Sequence, residues 1–302
     1  MQETSELLVP ELPDDFQEFW QDTLHAAEKA PLDFQRSGSN DYLRSGFKVE
    51  TLTFRGVDGQ TKYGWIACPL EASRERAFLW VPPYGRWSMM PNEYGTRQGF
   101  VSLSFNFFGE QAFHEEDYVP QRGYFAEGAG SPETFVFKRM FQDAVIALRV
   151  LEAQSEVDEA RIGASGLSQG GGIAVWLGAW AKQVKCVTAD FPFLAGMPWV
   201  LSQRIHRYPL KELVDFADSL PLGRNVVGHT LSYFDTVNHA RFCKVPTLVT
   251  LGLKDPAVRP EQVRAVMSAL PGEKELAELD FGHDWHPSMV DRNRDWLLKW
   301  LR

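Results

Sequence analysis

A chain of 302 residues, 44% hydrophobic and 24% charged, has the composition of a soluble globular protein with enough apolar side chains for one large core. Its formal net charge is −9 and no run of Lys and Arg reverses it locally, which argues against nucleic acid as a partner, because a phosphate backbone would be repelled. No apolar stretch approaches the roughly 18 residues of a membrane span, so no membrane association is expected.

The first residues lack a basic stretch followed by an apolar one, so no secretory signal is read there and a cytoplasmic location is expected. Cys68, Cys186 and Cys243 are odd in number and sit in or beside apolar runs, which reads as buried reduced thiols. Residues 13–30 hold an N-terminal helix, acid-led over 14–29, with Phe16, Phe19, Trp20 and Leu24 on one side. Two β-like runs, 47–55 and 62–68, follow as a hairpin through a Gly-containing loop at 56–59.

From residue 77 onward, short apolar runs alternate with longer amphipathic segments, the signature of an α/β fold with a parallel sheet covered by helices. The expected strands are 77–81, 100–105, 161–164, 185–189, 247–251 and 275–280. The expected helices are 133–154, 169–181, 260–270 and 286–301. Residues 191–243 form an insertion too long to be a bare loop, expected to be a small helical cap. The whole chain, 1–302, is expected to be one domain.

The stretch IGASGLSQGGGI, residues 162–173, sits between a strand and a helix and contains Gly166-Leu167-Ser168-Gln169-Gly170. This is G-x-S-x-G in the context that makes it a nucleophile elbow. A sharp strand-to-helix turn exposes the serine, and small neighbours let strand and helix approach. Ser165 fails the same test, because its pentapeptide lacks the second Gly. A phosphate-binding turn fits less well: the glycines do not match G-x-G-x-x-G and no Lys-Ser/Thr follows.

A serine nucleophile needs a base, and the base needs an orienting acid. In the α/β-hydrolase order, acid and base follow the serine on loops after later strands. Asp255 stands just past the expected strand 247–251, in Gly-Leu-Lys-Asp-Pro; Asp190, Asp235 and Asp280 compete less well by position. His283, after Gly282 at the end of the last strand, is better placed as base than His286, which precedes Pro287 and suits a helix start. His283 and His286 make a poor metal site, lacking a third ligand and the H-E-x-x-H spacing, so no metal or other cofactor is expected. The oxyanion hole calls for the N–H of Gln169, next to the nucleophile, and a second N–H from the loop after the strand 77–81. Pro82 and Pro83 have no N–H, so Tyr84 is the first available donor. Trp87, Phe107 and Phe108 are candidates to line a substrate pocket, with Phe191, Phe193 and Trp199 behind them.

The segments VDEARIGASGLSQGGGIAVW (157–176), TADFPFL (188–194) and YFDTVNHARFCKVPTLVTLGLKDPAVRP (233–260) resemble the acetyl xylan esterase / cephalosporin C deacetylase family, carbohydrate esterase family seven. The likeness runs from about residue 47 to the C-terminus. It implies an α/β-hydrolase fold, a mostly parallel twisted sheet with helices on both faces. It further implies a serine esterase that removes acetyl groups from sugars and related small alcohols, often as a ring-shaped homo-oligomer, a hexamer. The family's nucleophile, acid and base fall on Ser168, Asp255 and His283, and its oxyanion donors on Tyr84 and Gln169. This chain departs from the family in three places. It has Pro82-Pro83-Tyr84 for His-Gly-Tyr, Asn106-Phe107-Phe108-Gly109 for Arg-Gly-Gln-Gly, and His283-Asp284 for His-Glu. The second replaces a cation by aromatics and bears on acyl or alcohol specificity. The partner expected is therefore a small-molecule ester; a lactone or peptide substrate on the same fold, or a non-catalytic binding role, are the rival expectations.

Overall fold

The computed structural model describes residues 8–38, 41–85, 90–113, 119–203 and 206–302. The chain begins with helix α1 (Phe16–Lys29) and strands β1 (Phe34–Gly38), β2 (Phe47–Arg55) and β3 (Thr61–Pro69). Strands β4 (Glu75–Val81) and β5 (Phe100–Phe105) lead to helix α2 (Val136–Glu152), then β6 (Val157–Leu167), α3 (Gln169–Trp180) and β7 (Val184–Asp190). Four helices follow, α4 (Met197–Ser202), α5 (Leu210–Asp218), α6 (Gly223–Phe234) and α7 (Thr236–Ala240). The chain closes with β8 (Thr247–Gly252), α8 (Pro260–Ala269), β9 (Lys274–Leu279) and α9 (Pro287–Trp300).

All of these strands join one nine-stranded sheet in the order β1-β2-β3-β5-β4-β6-β7-β8-β9. The expected hairpin is the antiparallel pair β2 and β3. From β5 through β4 to β9 every pairing is parallel, which requires the helical crossovers that the alternating sequence announces. Helices cover both faces. In β7, Val187 lies against Gly178 of α3, while Cys186 lies beside Gly163 of β6 and Leu297 of α9. Adjacent strand residues point to opposite faces, so α3 and α9 flank the sheet from either side.

β1 was not expected. Its FQRSG sequence has one apolar residue and no alternation, as befits an edge strand. What holds it is polar: Arg36 bonds Glu50 of β2, and Gln154 and Glu156 ahead of β6, at 2.9–3.1 Å for the latter two.

The N-terminal helix is where the spacing placed it, but its buried residues are Phe16, Trp20, Thr23 and Ala27, with Phe19 and Leu24 only partly covered. The face turned inward is set by Trp20, which is fully buried and donates its indole N–H to the Tyr233 carbonyl of α6 at 2.9 Å. Residues 191–243 do carry helices, α4 to α7.

Candidate active site

Every candidate residue follows the C-terminal end of a parallel strand: Tyr84 after β4, Ser168 after β6, Asp255 after β8 and His283 after β9. This is the edge at which open parallel sheets gather ligand-binding loops.

Ser168 has φ 57° and ψ −117°, a backbone conformation that side-chain-bearing residues rarely adopt. It is held there by its N–H to the Asp190 carbonyl (2.8 Å) and by its own carbonyl, which accepts from Phe193 N (2.9 Å) and Gly172 N (3.1 Å). The flanking glycines are needed for the close approach. A Cβ on Gly166 would stand 2.2 Å from the Gly170 carbonyl oxygen, and one on Gly170 would stand 2.1 Å from that of Val81.

His283 Nε2 lies 2.9 Å from Ser168 Oγ, and its Nδ1 lies 2.7 Å from Asp255 Oδ2. Asp255 Oδ1 accepts from the N–H groups of Ala257 (2.7 Å) and Val258 (2.9 Å), which fixes the carboxylate in its loop. The Asp255 side chain is fully buried, whereas the His283 ring is partly open to solvent. The Phe191 ring, 5.5 Å from the imidazole, covers another side of it. A hydroxyl, an imidazole and a carboxylate in this sequence of bonds can pass a proton from Oγ to Nε2 while the carboxylate holds Nδ1–H.

The competing side chains are engaged elsewhere. Asp190 is buried and accepts from Thr250 Oγ1 (2.5 Å) and Asn293 Nδ2 (2.8 Å); burial raises its pKa, opposed by those two bonds and by the charge of Arg97. Asp235 caps α7 through Val237 N and also binds the N–H groups of Gly196 and Met197; burial pushes it up to about 7 against those three bonds. Asp280 pairs at the surface with Lys254. His286 caps α9, accepting from Ser288 N. Among the described residues no group of three or more His, Cys, Asp or Glu could hold a metal.

Around the serine, the Gln169 side chain accepts from the Tyr124 hydroxyl at 3.0 Å, and that hydroxyl accepts from Gly85 N at 3.3 Å. Tyr124 thus joins the start of α3 to the loop after β4. Sequence reasoning passed over it, since nothing in the Gly- and aromatic-rich spacer 107–132 marks one tyrosine above its neighbours. Of the pocket candidates, Trp87 lies outside the described residues. Phe107 is buried with its ring 4.8 Å from Phe105, and Phe108 is half-buried with its ring 4.3 Å from Tyr124. Phe191, Phe193 and Trp199 are buried in the core.

The family model described as acetyl xylan esterase (AXE1) matches residues 9–302. The chain belongs to the acetyl xylan esterase family. It is a carboxylic-ester hydrolase, and the sheet described above is that of an α/β-hydrolase. The acetyl esterase Axe7A of Xylanibacter ruminicola is 24% identical over 313 residues, covering 98% of this chain and 70% of that protein. The acetyl xylan esterase from Paenibacillus sp. R4 superposes with a TM-score of 0.83 at 24% identity, over 100% of this chain and 99% of that one. Acetyl xylan esterase 1 from Thermoanaerobacterium sp. JW/SL YS485 superposes with a TM-score of 0.84 at 22% identity, over 100% and 99% of the two chains. Among the described residues no helix of this esterase is long and apolar enough to cross a membrane.

Proposed function

We propose that Ser168, His283 and Asp255 are the catalytic residues of an esterase acting on acetyl groups carried by sugars or related small alcohols. His283 Nε2 takes the Ser168 hydroxyl proton as Oγ attacks the ester carbonyl. The backbone N–H groups of Tyr84 and Gln169 receive the oxyanion, at the N-terminus of α3 where helix partial charge favours an anion. His283 returns the proton to the leaving alcohol, giving an acetyl-serine. Water then attacks the acyl carbon, gives a proton to the same imidazole, and acetate departs as that proton goes back to Oγ. Asp255 keeps Nδ1 protonated throughout and stabilises the imidazolium.

The observation that carries the reading is the pair of bonds made by His283, 2.9 Å to Ser168 Oγ and 2.7 Å to Asp255 Oδ2. The names of the relatives support acetyl esters as the substrate class. The proposal extends to the four helices of 191–243 as a cap on a single catalytic domain and to a homo-oligomeric assembly. It also extends to a cytoplasmic location, where three free, buried thiols suit a reducing compartment.

The test is hydrolysis of a p-nitrophenyl ester series from acetate to octanoate by the parent chain and by Ser168→Ala. Turnover that peaks at acetate and is lost in the variant is expected. A peak at longer acyl chains would assign the aromatic pair Phe107-Phe108 a different pocket and overturn the acetyl preference. Turnover surviving Ser168→Ala would overturn the mechanism.

A further inference from the structure

Glu212 lies in the first turn of α5 and is 2% exposed. Its carboxylate meets the ring end of Tyr84 and the backbone on either side of Tyr124. Oε1 accepts from Gly123 N at 2.7 Å and from the Tyr84 hydroxyl at 3.3 Å, and Oε2 accepts from Phe125 N at 3.1 Å. Gly123 has no room for a side chain there, because a Cβ would stand 2.2 Å from the Tyr84 hydroxyl oxygen. The residue between these two N–H donors is Tyr124, whose hydroxyl joins Gly85 N to the Gln169 side chain. The rings of Tyr84 and Tyr124 lie 5.0 Å apart. One buried carboxylate on the insertion therefore holds Tyr84 directly, and holds Gly85 and Gln169 through Tyr124.

We propose that Glu212 is a positioning residue for the oxyanion hole. This rests on the reading of Tyr84 and Gln169 as its donors. The loop after β4 needs such an anchor on one side. Pro82 and Pro83 stiffen it ahead of Tyr84, whereas Gly85 adopts φ 139°, a conformation that glycine alone takes without strain. Fastening the far end of the Tyr84 ring and the N–H of Gly85 fixes the direction in which the Tyr84 N–H points. The Gln169 side chain is fastened to the same cluster, which ties the residue that carries the second donor to the loop that carries the first. Oxyanion stabilisation depends on that relative placement, since donors already in position cost no reorganisation as charge develops. The insertion thereby contributes to rate as well as to whatever cover it gives the site.

The experiment uses the full chain as Glu212→Gln and Tyr124→Phe, with Asp215→Asn on the same helix as control, since among the described residues Asp215 forms its ion pair with the half-exposed Lys211. Ser168 is counted in each by titration to completion with a fluorophosphonate, and kcat per counted serine, KM for p-nitrophenyl acetate and the pH–rate profile are measured. In Glu212→Gln an NH2 group replaces one acceptor oxygen. Its kcat per serine should fall about 10–100-fold with KM little changed, because an ångström of misplacement costs about 100-fold and a smaller shift costs less. The acidic limb of the pH profile should stay put, because His283 and Asp255 are untouched. Tyr124→Phe, which removes one hydroxyl and keeps the fold's packing, should fall in the same direction. The double variant should lose less than the product of the two, as for groups in one network. Asp215→Asn should match the parent. An unchanged kcat per serine in either Glu212→Gln or Tyr124→Phe, or a loss wholly explained by fewer countable serines, overturns the proposal. If Ser168→Ala itself retains turnover, the catalytic reading and the proposal fall together; if it does not, the Glu212 and Tyr124 results judge the proposal alone.

Discussion

Asp255 divides its two oxygens between a histidine and its own loop: Oδ2 meets His283 Nδ1 at 2.7 Å, and Oδ1 accepts the N–H groups of Ala257 and Val258 at 2.7 and 2.9 Å. In Asp255→Asn the amide oxygen keeps the two loop bonds, so the NH2 group is the part presented to His283. The imidazole must then accept at Nδ1 and carry its proton on Nε2, where it can no longer take one from Ser168. A kcat loss of about 10⁴-fold is expected with the fold intact, since this tautomer reversal costs that much in a comparable serine hydrolase. Steady-state kinetics with p-nitrophenyl acetate, alongside a melting curve, measures both halves of the expectation.

The left-handed backbone of Ser168 leads to a stability prediction that opposes activity. A residue at φ 57° and ψ −117° stores about 1–3 kcal/mol of strain unless it is glycine. Glycine gives back about 0.5–1 kcal/mol through its greater freedom in the unfolded chain. Ser168→Gly is therefore expected to be more stable than Ser168→Ala by about 1 kcal/mol, both being inactive. Urea denaturation of the two variants side by side decides it; an alanine variant as stable as the glycine one would remove strain from the account.

Gly170 tests the elbow from the other side. A Cβ there would meet the carbonyl oxygens of Val81 and Pro82 at 2.1 and 2.8 Å, both backbone atoms that cannot swing aside. Gly170→Ala must push α3 away from the end of β4 and from the loop bearing Tyr84. A loss of about 1–3 kcal/mol, the usual cost of overpacking, is expected together with a fall in kcat.

The Arg36 cluster predicts acid sensitivity at the sheet edge. Burial pushes Glu156 up, but its bonds to Arg36 and the charge of that guanidinium bring it down to about 2 from the ordinary 4.5 of a glutamate. A carboxyl group depressed on folding stabilises the protein above its unfolded pKa. That contribution fades as pH falls from about 4.5 toward about 2. Glu156→Gln is thus expected to lower the melting temperature at pH 6 and to flatten its decline between pH 5 and pH 3. An equally steep decline in the variant would show that other carboxylates carry the effect.

Particular residues explain how much could be read in advance. The central parallel strands were legible because every residue of Phe100–Phe105 and Thr247–Gly252 is buried, so each reads as a short run of apolar and small uncharged side chains. The elbow was legible because its glycines answer a contact between backbones, which leaves no other residue available. Asp255 and His283 could be picked out by their place after strands. The edge strand β1 could not, because its stability comes from Arg36 reaching partners at Glu50 and Glu156, far apart in sequence. Tyr124 and Glu212 escaped for the same reason: their bonds join the insertion, the spacer and the β4 loop, which only the folded chain brings together.

The two strands at the margins of the sheet carry a further consequence. β1 exposes Gln35, Ser37 and Gly38, and β9 exposes Lys274, Glu275 and Glu278. A polar, short or charged margin is a poor template for another molecule's backbone, whereas the apolar strands that would recruit one lie inboard. Edge-to-edge addition of one molecule's sheet to another's is thus disfavoured, while the candidate site lies at the C-terminal ends of the strands, away from both margins.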